Sequence, residues 1–199
     1  MAAVGQYRVA SPAEYTPSSP CHLEIGCGKG GFITGMAKRY PSVNFLAVEK
    51  VSSVLVLAME KAAAAELSNV KFIAGDVMNL KEYPFSHAFD RIYLNFSDPW
   101  PRPKHAKRRL TAPMFLALYR WLLRPEGEII MKTDNAPLFD YSLETLPANG
   151  FAITSVTRDL HKEADPENVM TEYETNFSSQ GMPIYRLKAT LSSTPPEES

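Results

Sequence analysis

The chain predicts an α/β fold: a doubly wound, mainly parallel, seven-stranded sheet with one antiparallel strand and helices on both faces. Three observations predict it. Short apolar runs, several rich in β-branched residues, alternate with helical patterns between residues 22 and 146. A glycine-rich segment joins the first run to the first helix. Two further strand-like runs follow the last helix and finish the sheet as a pair.

The predicted strands are His22–Ile25, Asn44–Val48, Val70–Ala74, Asp90–Phe96 and Glu128–Lys132, with the closing pair at Ala152–Arg158 and Pro183–Leu191. The predicted helices are Phe32–Arg39, Ser53–Leu67, Thr111–Leu123 and Pro137–Leu146. The second helix is alanine-rich, with Ser52 or Ser53 available as its cap. Asp134-Asn135 offers caps for the fourth. Residues 1–20 contain Pro12, Pro17 and Pro20 among serines and read as an irregular lead-in. Residues 21–191 form one domain, and 192–199, with Pro195-Pro196-Glu197-Glu198, read as a flexible tail.

The chain has 199 residues, 45% of them apolar and 22% charged, which is ordinary for a soluble domain with its own core. The first residues carry no apolar stretch behind a basic start, so no secretory leader is expected. The longest apolar run, Val54–Met59, is too short to span a bilayer. Two cysteines, Cys21 and Cys27, read as reduced thiols. His22, His87, His105 and His161 have no ligand spacing, and no metal is expected. A cytoplasmic location fits all of this.

The first strand runs into Gly26-Cys27-Gly28-Lys29-Gly30-Gly31, where glycine allows a sharp turn and close approach of a ligand. That pattern alone also satisfies a dinucleotide fingerprint. Three acids favour another ligand. Glu24 lies in the first strand, Glu49 ends the second, and Asp76 follows the third. An acid beside the glycine loop repels a pyrophosphate and suits a cation. A carboxylate after the second strand can accept both ribose hydroxyls, and one after the third can accept from an adenine amino group. S-adenosylmethionine carries an ammonium and a sulfonium and no phosphate, so it fits this rim better than a nicotinamide dinucleotide.

The fourth strand ends in Ser97-Asp98-Pro99-Trp100-Pro101, a carboxylate, a φ-restricting proline and an aromatic face suited to a base. Five of the next eight residues, Arg102 to Arg109, are Lys or Arg. In a chain of net charge −1 such clustering suits phosphates, although a solvated face is the common use of a charge run. Thr171-Glu172-Tyr173-Glu174 has capping-box spacing and is also a candidate for the same rim.

These segments together resemble bacterial tRNA (guanine-N7)-methyltransferases: Leu23 to Gly30, Ser97 to Pro101 with Lys107-Arg108-Arg109, Thr133-Asp134, and Thr171 to Glu174, in this order. The resemblance spans about residues 21–190. It implies a Rossmann-like class I methyltransferase fold and methylation of guanosine at position 46 of the tRNA variable loop. It implies that Glu24, Gly26, Gly28, Gly30, Glu49, Asp76 and Asp98 serve S-adenosylmethionine, with Asp98 also the active-site acid. It assigns Arg102, Asp134, Thr171, Glu172, Tyr173 and Glu174 to substrate, and Lys104, His105, Lys107, Arg108 and Arg109 to RNA. Members of the family occur as monomers and as homodimers. Two features depart from the pattern: Arg102, followed by Pro103, stands where a lysine is usual, and the segment before residue 21 is short. Rival readings are an amino-directed (N6-adenine type) nucleic-acid methyltransferase, whose Asn/Asp-Pro-Pro-aromatic segment is close to Ser97–Trp100, a nicotinamide-dependent oxidoreductase, and a non-catalytic RNA-binding relative.

Overall fold

The computed structural model describes residues 4–163, 165–166 and 168–192. The strands are β1 (Cys21–Ile25), β2 (Asn44–Glu49), β3 (Val70–Ala74), β4 (Phe89–Asn95), β5 (Leu123–Thr133), β6 (Phe151–Thr157) and β7 (Tyr185–Leu191). The helices are α1 (Gly31–Arg39), α2 (Ser52–Ala64), α3 (Pro113–Leu122), α4 (Ala136–Ala148) and α5 (Glu172–Ser179). The strands form one sheet in the order β3-β2-β1-β4-β5-β7-β6. Strands β1 to β5 are parallel, and β7 runs antiparallel to both β5 and β6. The expected class is therefore observed, including the closing pair.

Every side chain of β1 is buried. A parallel strand is covered on both faces, so β1 buries even its polar His22 and Glu24. Alternate residues feed two cores. Leu23, Ile25, Leu46, Val48, Ile92, Leu94 and Met131 pack with residues of α3 and α4, including Leu116, Tyr119, Leu138 and Phe139. Phe45, Ala47, Phe72, Tyr93 and Ile130 pack with residues of α1 and α2, including Phe32, Ile33, Leu55 and Ala58. The order reverses between β1 and β4, so the carboxyl ends of these two strands open a crevice.

Three differences from the sequence reading have local causes. Neither Ser52 nor Ser53 caps α2; Val51 holds the cap position, and its amide donates to Glu49 Oε1 at 2.9 Å. The same helix ends at Ala64 and not Leu67. Leu67 N donates to Ala62 O and Glu66 N to Ala63 O, with Glu66 at φ 52°. This is a helix stop normally built on glycine, and a glutamate there carries no stop signal. Strand β5 begins five residues before the expected Glu128, because Leu123 pairs with Phe89 before a register shift brings Glu128 beside Arg91.

The lead-in lies along the β3 edge. Arg8 bridges Phe72 in parallel, Val9 N donates to Phe72 O at 2.8 Å, and Tyr7 and Val9 are buried. Residues 193–199 of the expected tail lie outside the described residues.

Candidate active site

A cleft of about 1250 Å³ opens over the carboxyl ends of β1 to β4. The glycine loop forms one wall. Gly26 and Gly28 have φ of 77° and 53° with open space where a Cβ would stand, so the left-handed backbone is what calls for glycine there. Gly30 differs: a Cβ on it would stand 2.5 Å from Ala58 Cβ. That glycine lets α1 approach α2, and it does not line the cleft.

The three acids sit on the cleft wall. Glu24 is 2% exposed. Its Oε1 accepts from Asn95 Nδ2 at 2.9 Å, while Oε2 is buried with no protein partner. Burial pushes the Glu24 carboxyl up to about 8, against the Asn95 hydrogen bond and the Lys132 charge, with Glu172 and Glu49 adding to the rise. Glu49 braces the loop: Gly28 N donates to Oε2 at 2.9 Å, and Oε1 takes the Val51 amide. Asp76 Oδ1 accepts from Met78 N at 3.0 Å, and Oδ2 pairs with Lys50 Nζ at 3.2 Å across an exposed surface.

The β4 end forms the opposite wall. Phe96 and Trp100 have φ of 50° and 42°, so two residues in left-handed backbone bracket Ser97-Asp98-Pro99. Such strain persists only where the surroundings hold it, and it concentrates at functional sites. Arg109 is one holder. Its Nε and Nη2 donate to Pro99 O and Trp100 O, both at 3.1 Å, and its guanidinium lies 4.4 Å from the Tyr141 ring centroid. Trp100 is itself engaged: the Arg108 guanidinium lies 4.8 Å from its ring centroid and His105 meets it edge-on. Tyr173, 62% exposed, presents the larger free aromatic surface and stacks on Phe96 beneath it at 6.2 Å between centroids.

Helix α5 borders the same cleft. Thr171 caps it, accepting Glu174 N at 2.9 Å, while Glu174 Oε2 accepts Thr171 N at 3.4 Å. The capping box that the spacing offered is therefore present. Glu174 is 0% exposed and pairs with Lys132 Nζ at 2.6 Å. The Glu172 carboxylate lies over Gly31 and pairs with Lys61 of α2.

The fold thus gathers Glu24, Gly26, Gly28, Glu49, Asp76, Asp98, Lys107, Arg108, Thr171, Glu172 and Tyr173 around one space. Gly30, Arg102, Lys104, His105, Arg109, Asp134 and Glu174 do not line it. Arg102 and Lys104 are exposed just beyond it, and Asp134 precedes Asn135, the residue that caps α4 through Leu138 N at 2.9 Å. Sequence reasoning passed over Asn95, Phe96 and Lys132. For Lys132 there was a signal: a lysine inside Ile129-Ile130-Met131-Lys132-Thr133, where a central strand admits a charge only if it is paired.

The buried Glu24 oxygen without a partner tests what the cleft fits. A cationic group supplies its missing donor, and a phosphate does not. The start of α1, where a pyrophosphate would sit, already faces the Glu172 carboxylate. The donor set fits a cationic, phosphate-free nucleoside.

Residues 18–187 match the family model described as "Putative methyltransferase". The chain is 49% identical over 191 residues to a tRNA (guanine-N(7)-)-methyltransferase of Lactococcus lactis subsp. cremoris (strain SK11), covering 91% of this chain and 88% of that one. It is 49% identical over 171 residues to the protein of the same name from Listeria monocytogenes serotype 4b (strain F2365), covering 86% and 80%. The chain belongs to the tRNA (guanine-N(7)-)-methyltransferase family. Among solved structures, the 16S rRNA methyltransferase KamB superposes with a TM-score of 0.64 at 14% identity, covering 91% of this chain and 90% of that one. TrmN from Thermus thermophilus superposes at 0.59 with 22% identity, covering 88% of this chain and 45% of that one. These two likenesses speak for the fold. Among the described residues, no cluster of three or more His, Cys, Asp or Glu could hold a metal ion, and no helix is long and apolar enough to cross a membrane.

Proposed function

We propose that this methyltransferase moves the methyl group of S-adenosylmethionine to N7 of a guanine in the variable loop of tRNA, in the cytoplasm. One observation carries the reading. A single cleft joins a buried carboxylate oxygen lacking a donor, the Asp98 carboxylate, and the exposed Lys107 and Arg108. Its volume of about 1250 Å³ leaves room for a base beside a nucleoside cofactor. The curated relatives' names supply the target atom and the RNA class.

S-adenosylmethionine supplies an electrophilic methyl on a sulfonium centre. Glu24 would hold its ammonium, Glu49 would accept from the ribose hydroxyls, and Asp76 would accept from the adenine amino group. Neutral guanine already has a free lone pair at N7, so no base need remove a proton first. Placing that nitrogen against the methyl group is the main task, and orientation is worth several kcal/mol of barrier. Asp98 accepts from N1–H and the exocyclic amine, which selects guanine, and it offsets the positive charge that methylation leaves on the purine. Thr171, Glu172 and Tyr173 border the base from α5. Lys107 and Arg108, with Arg102 and Lys104 outside the cleft, neutralise phosphates.

The test is incubation with an unmodified tRNA transcript and methyl-labelled S-adenosylmethionine, followed by digestion to nucleosides. Labelled N7-methylguanosine is expected. Labelled N6-methyladenosine would instead support the amino-directed reading, and no label on RNA would reject the substrate.

A further inference from the structure

We propose that Lys132 is a positioning residue for this methyl transfer: from inside the core, its ammonium holds the segment bearing Thr171, Glu172 and Tyr173 in place over the cleft. The inference rests on the methyl-transfer reading above.

Lys132 is 3% exposed, at the end of β5. An ammonium has three donors, and here all three go to the segment before and within α5. They reach Asn168 Oδ1 at 3.1 Å, Val169 O at 3.0 Å and Glu174 Oε2 at 2.6 Å. Asn168 closes the network by donating to Glu174 Oε1 at 2.6 Å. Glu174 in turn holds Thr171 through both arms of the capping box. The contact on the other side is the ring of Phe32, whose centroid lies 5.0 Å from Nζ. Phe32 is the second residue of α1 and lines the cleft directly after the glycine loop. One cation therefore ties the helix that follows the cofactor loop to the segment that borders the base.

A buried ion pair is poor evidence of stability, because apolar residues of similar volume commonly do as well. What apolar residues cannot reproduce is direction. Three hydrogen bonds fix where residues 168–174 lie, and the cap at Thr171 passes that placement to Glu172 and Tyr173. Carboxylate, arginine and histidine neighbours complete the surroundings: Lys132 also feels Glu24 and Arg186, and His161 Nε2 lies 3.4 Å from Glu174 Oε1.

The experiment compares the full chain with Lys132→Met, Lys132→Met/Glu174→Gln and Asn168→Ala. Each is assayed for kcat and KM with unmodified tRNA transcript, for S-adenosylmethionine affinity at pH 9, for thermal melting, and for amide exchange across 168–179. Glutamine also serves at this capping-box position, so the double variant keeps the cap and removes the unpaired charge. Lys132→Met is expected to lower kcat/KM for tRNA at least tenfold and to speed exchange in 168–179, with cofactor affinity at pH 9 changed less than threefold. The double variant should recover the melting temperature and leave kcat/KM low, since neither Met nor Gln restores the bonds to Val169 and Asn168. Asn168→Ala keeps the Lys132–Glu174 ion pair and should show a smaller loss in the same direction. Recovery of kcat/KM together with melting temperature in the double variant would overturn the proposal, as would unchanged exchange and turnover in Asn168→Ala. If the parent protein leaves N7 of guanine unmethylated, the functional reading fails by itself, and the exchange data still decide whether Lys132 places α5.

Discussion

The charge state of Glu24 makes cofactor affinity depend on pH in a calculable way. The carboxyl sits at about 8 in the ligand-free protein, chiefly because burial disfavours the anion. A cationic ammonium beside it favours the anion, so binding at lower pH must first remove a proton. The free enzyme is the ionised, binding-competent form only in the fraction 1/(1 + 10^(8−pH)). Affinity therefore rises with pH and levels off above 8. From pH 6 to pH 8 this ionisation alone lowers the apparent Kd roughly 50-fold, about 2.3 kcal/mol, and loss of the ligand's own charge trims the measured fall to roughly 20-fold. The ligand's own α-amino group loses its charge near pH 7.7–8.0, an ordinary range for such groups, so the measured curve should peak near pH 8 and fall beyond it. Glu24→Gln keeps the hydrogen bond to Asn95 and removes the titration. Its acid limb should vanish while the alkaline limb stays. Calorimetry at pH 6.5 in buffers of different ionisation enthalpy should count nearly one proton released by the parent and almost none by the variant. A parent Kd that changes less than threefold between pH 6 and pH 8, or an acid limb that survives in Glu24→Gln, would refute the reasoning.

Asp98→Ala should abolish methyl transfer while leaving S-adenosylmethionine affinity within severalfold of the parent; substantial turnover would remove Asp98 from its role. Lys107→Ala/Arg108→Ala should weaken tRNA binding and flatten its dependence on log salt by roughly 1.4–1.8, since each phosphate contact contributes a slope of about 0.7–0.9. Arg109→Ala should behave differently, because its guanidinium already serves the Pro99 and Trp100 carbonyls: turnover drops and the salt slope stays, and a flattened slope would make it a phosphate ligand after all. Gly30→Ala combines a left-handed backbone with a Cβ 2.5 Å from Ala58 Cβ, and should cost about 2–4 kcal/mol in denaturant unfolding. Gly26→Ala carries only the backbone term of about 1–2 kcal/mol, so equal losses would refute the packing account of Gly30.

The basic run shows how a cluster read as one unit divides once folded. Arg102, Lys104, Lys107 and Arg108 stay exposed, and Arg109 turns inward to hold the turn at Pro99 and Trp100. Charge count alone carries no information about which guanidinium finds a carbonyl ten residues upstream. Thr171 to Glu174 divides similarly. Its spacing supported both a helix cap and a place at the site; the cap is formed, Glu174 faces the core, and Thr171, Glu172 and Tyr173 border the cleft.

The sequence by itself determined the layer order, the glycine turn after the first strand, the acids at three successive strand ends and the Asp98 segment. Those features are written locally, in hydrophobic periodicity, in residues tolerant of left-handed backbone, and in which position of a strand an acid occupies. Only the tertiary structure decided that Glu24 keeps an oxygen without a donor, that Gly30 answers to Ala58, that Trp100 is covered by Arg108 while Tyr173 is open, and that Lys132 spends its three donors on the approach to α5. Apart from Arg108 on Trp100, eight residues away, each is a matter of which group meets which across tens of residues of chain. Burial sets the energy of a polar group by its partners, and partners distant in sequence are chosen by packing.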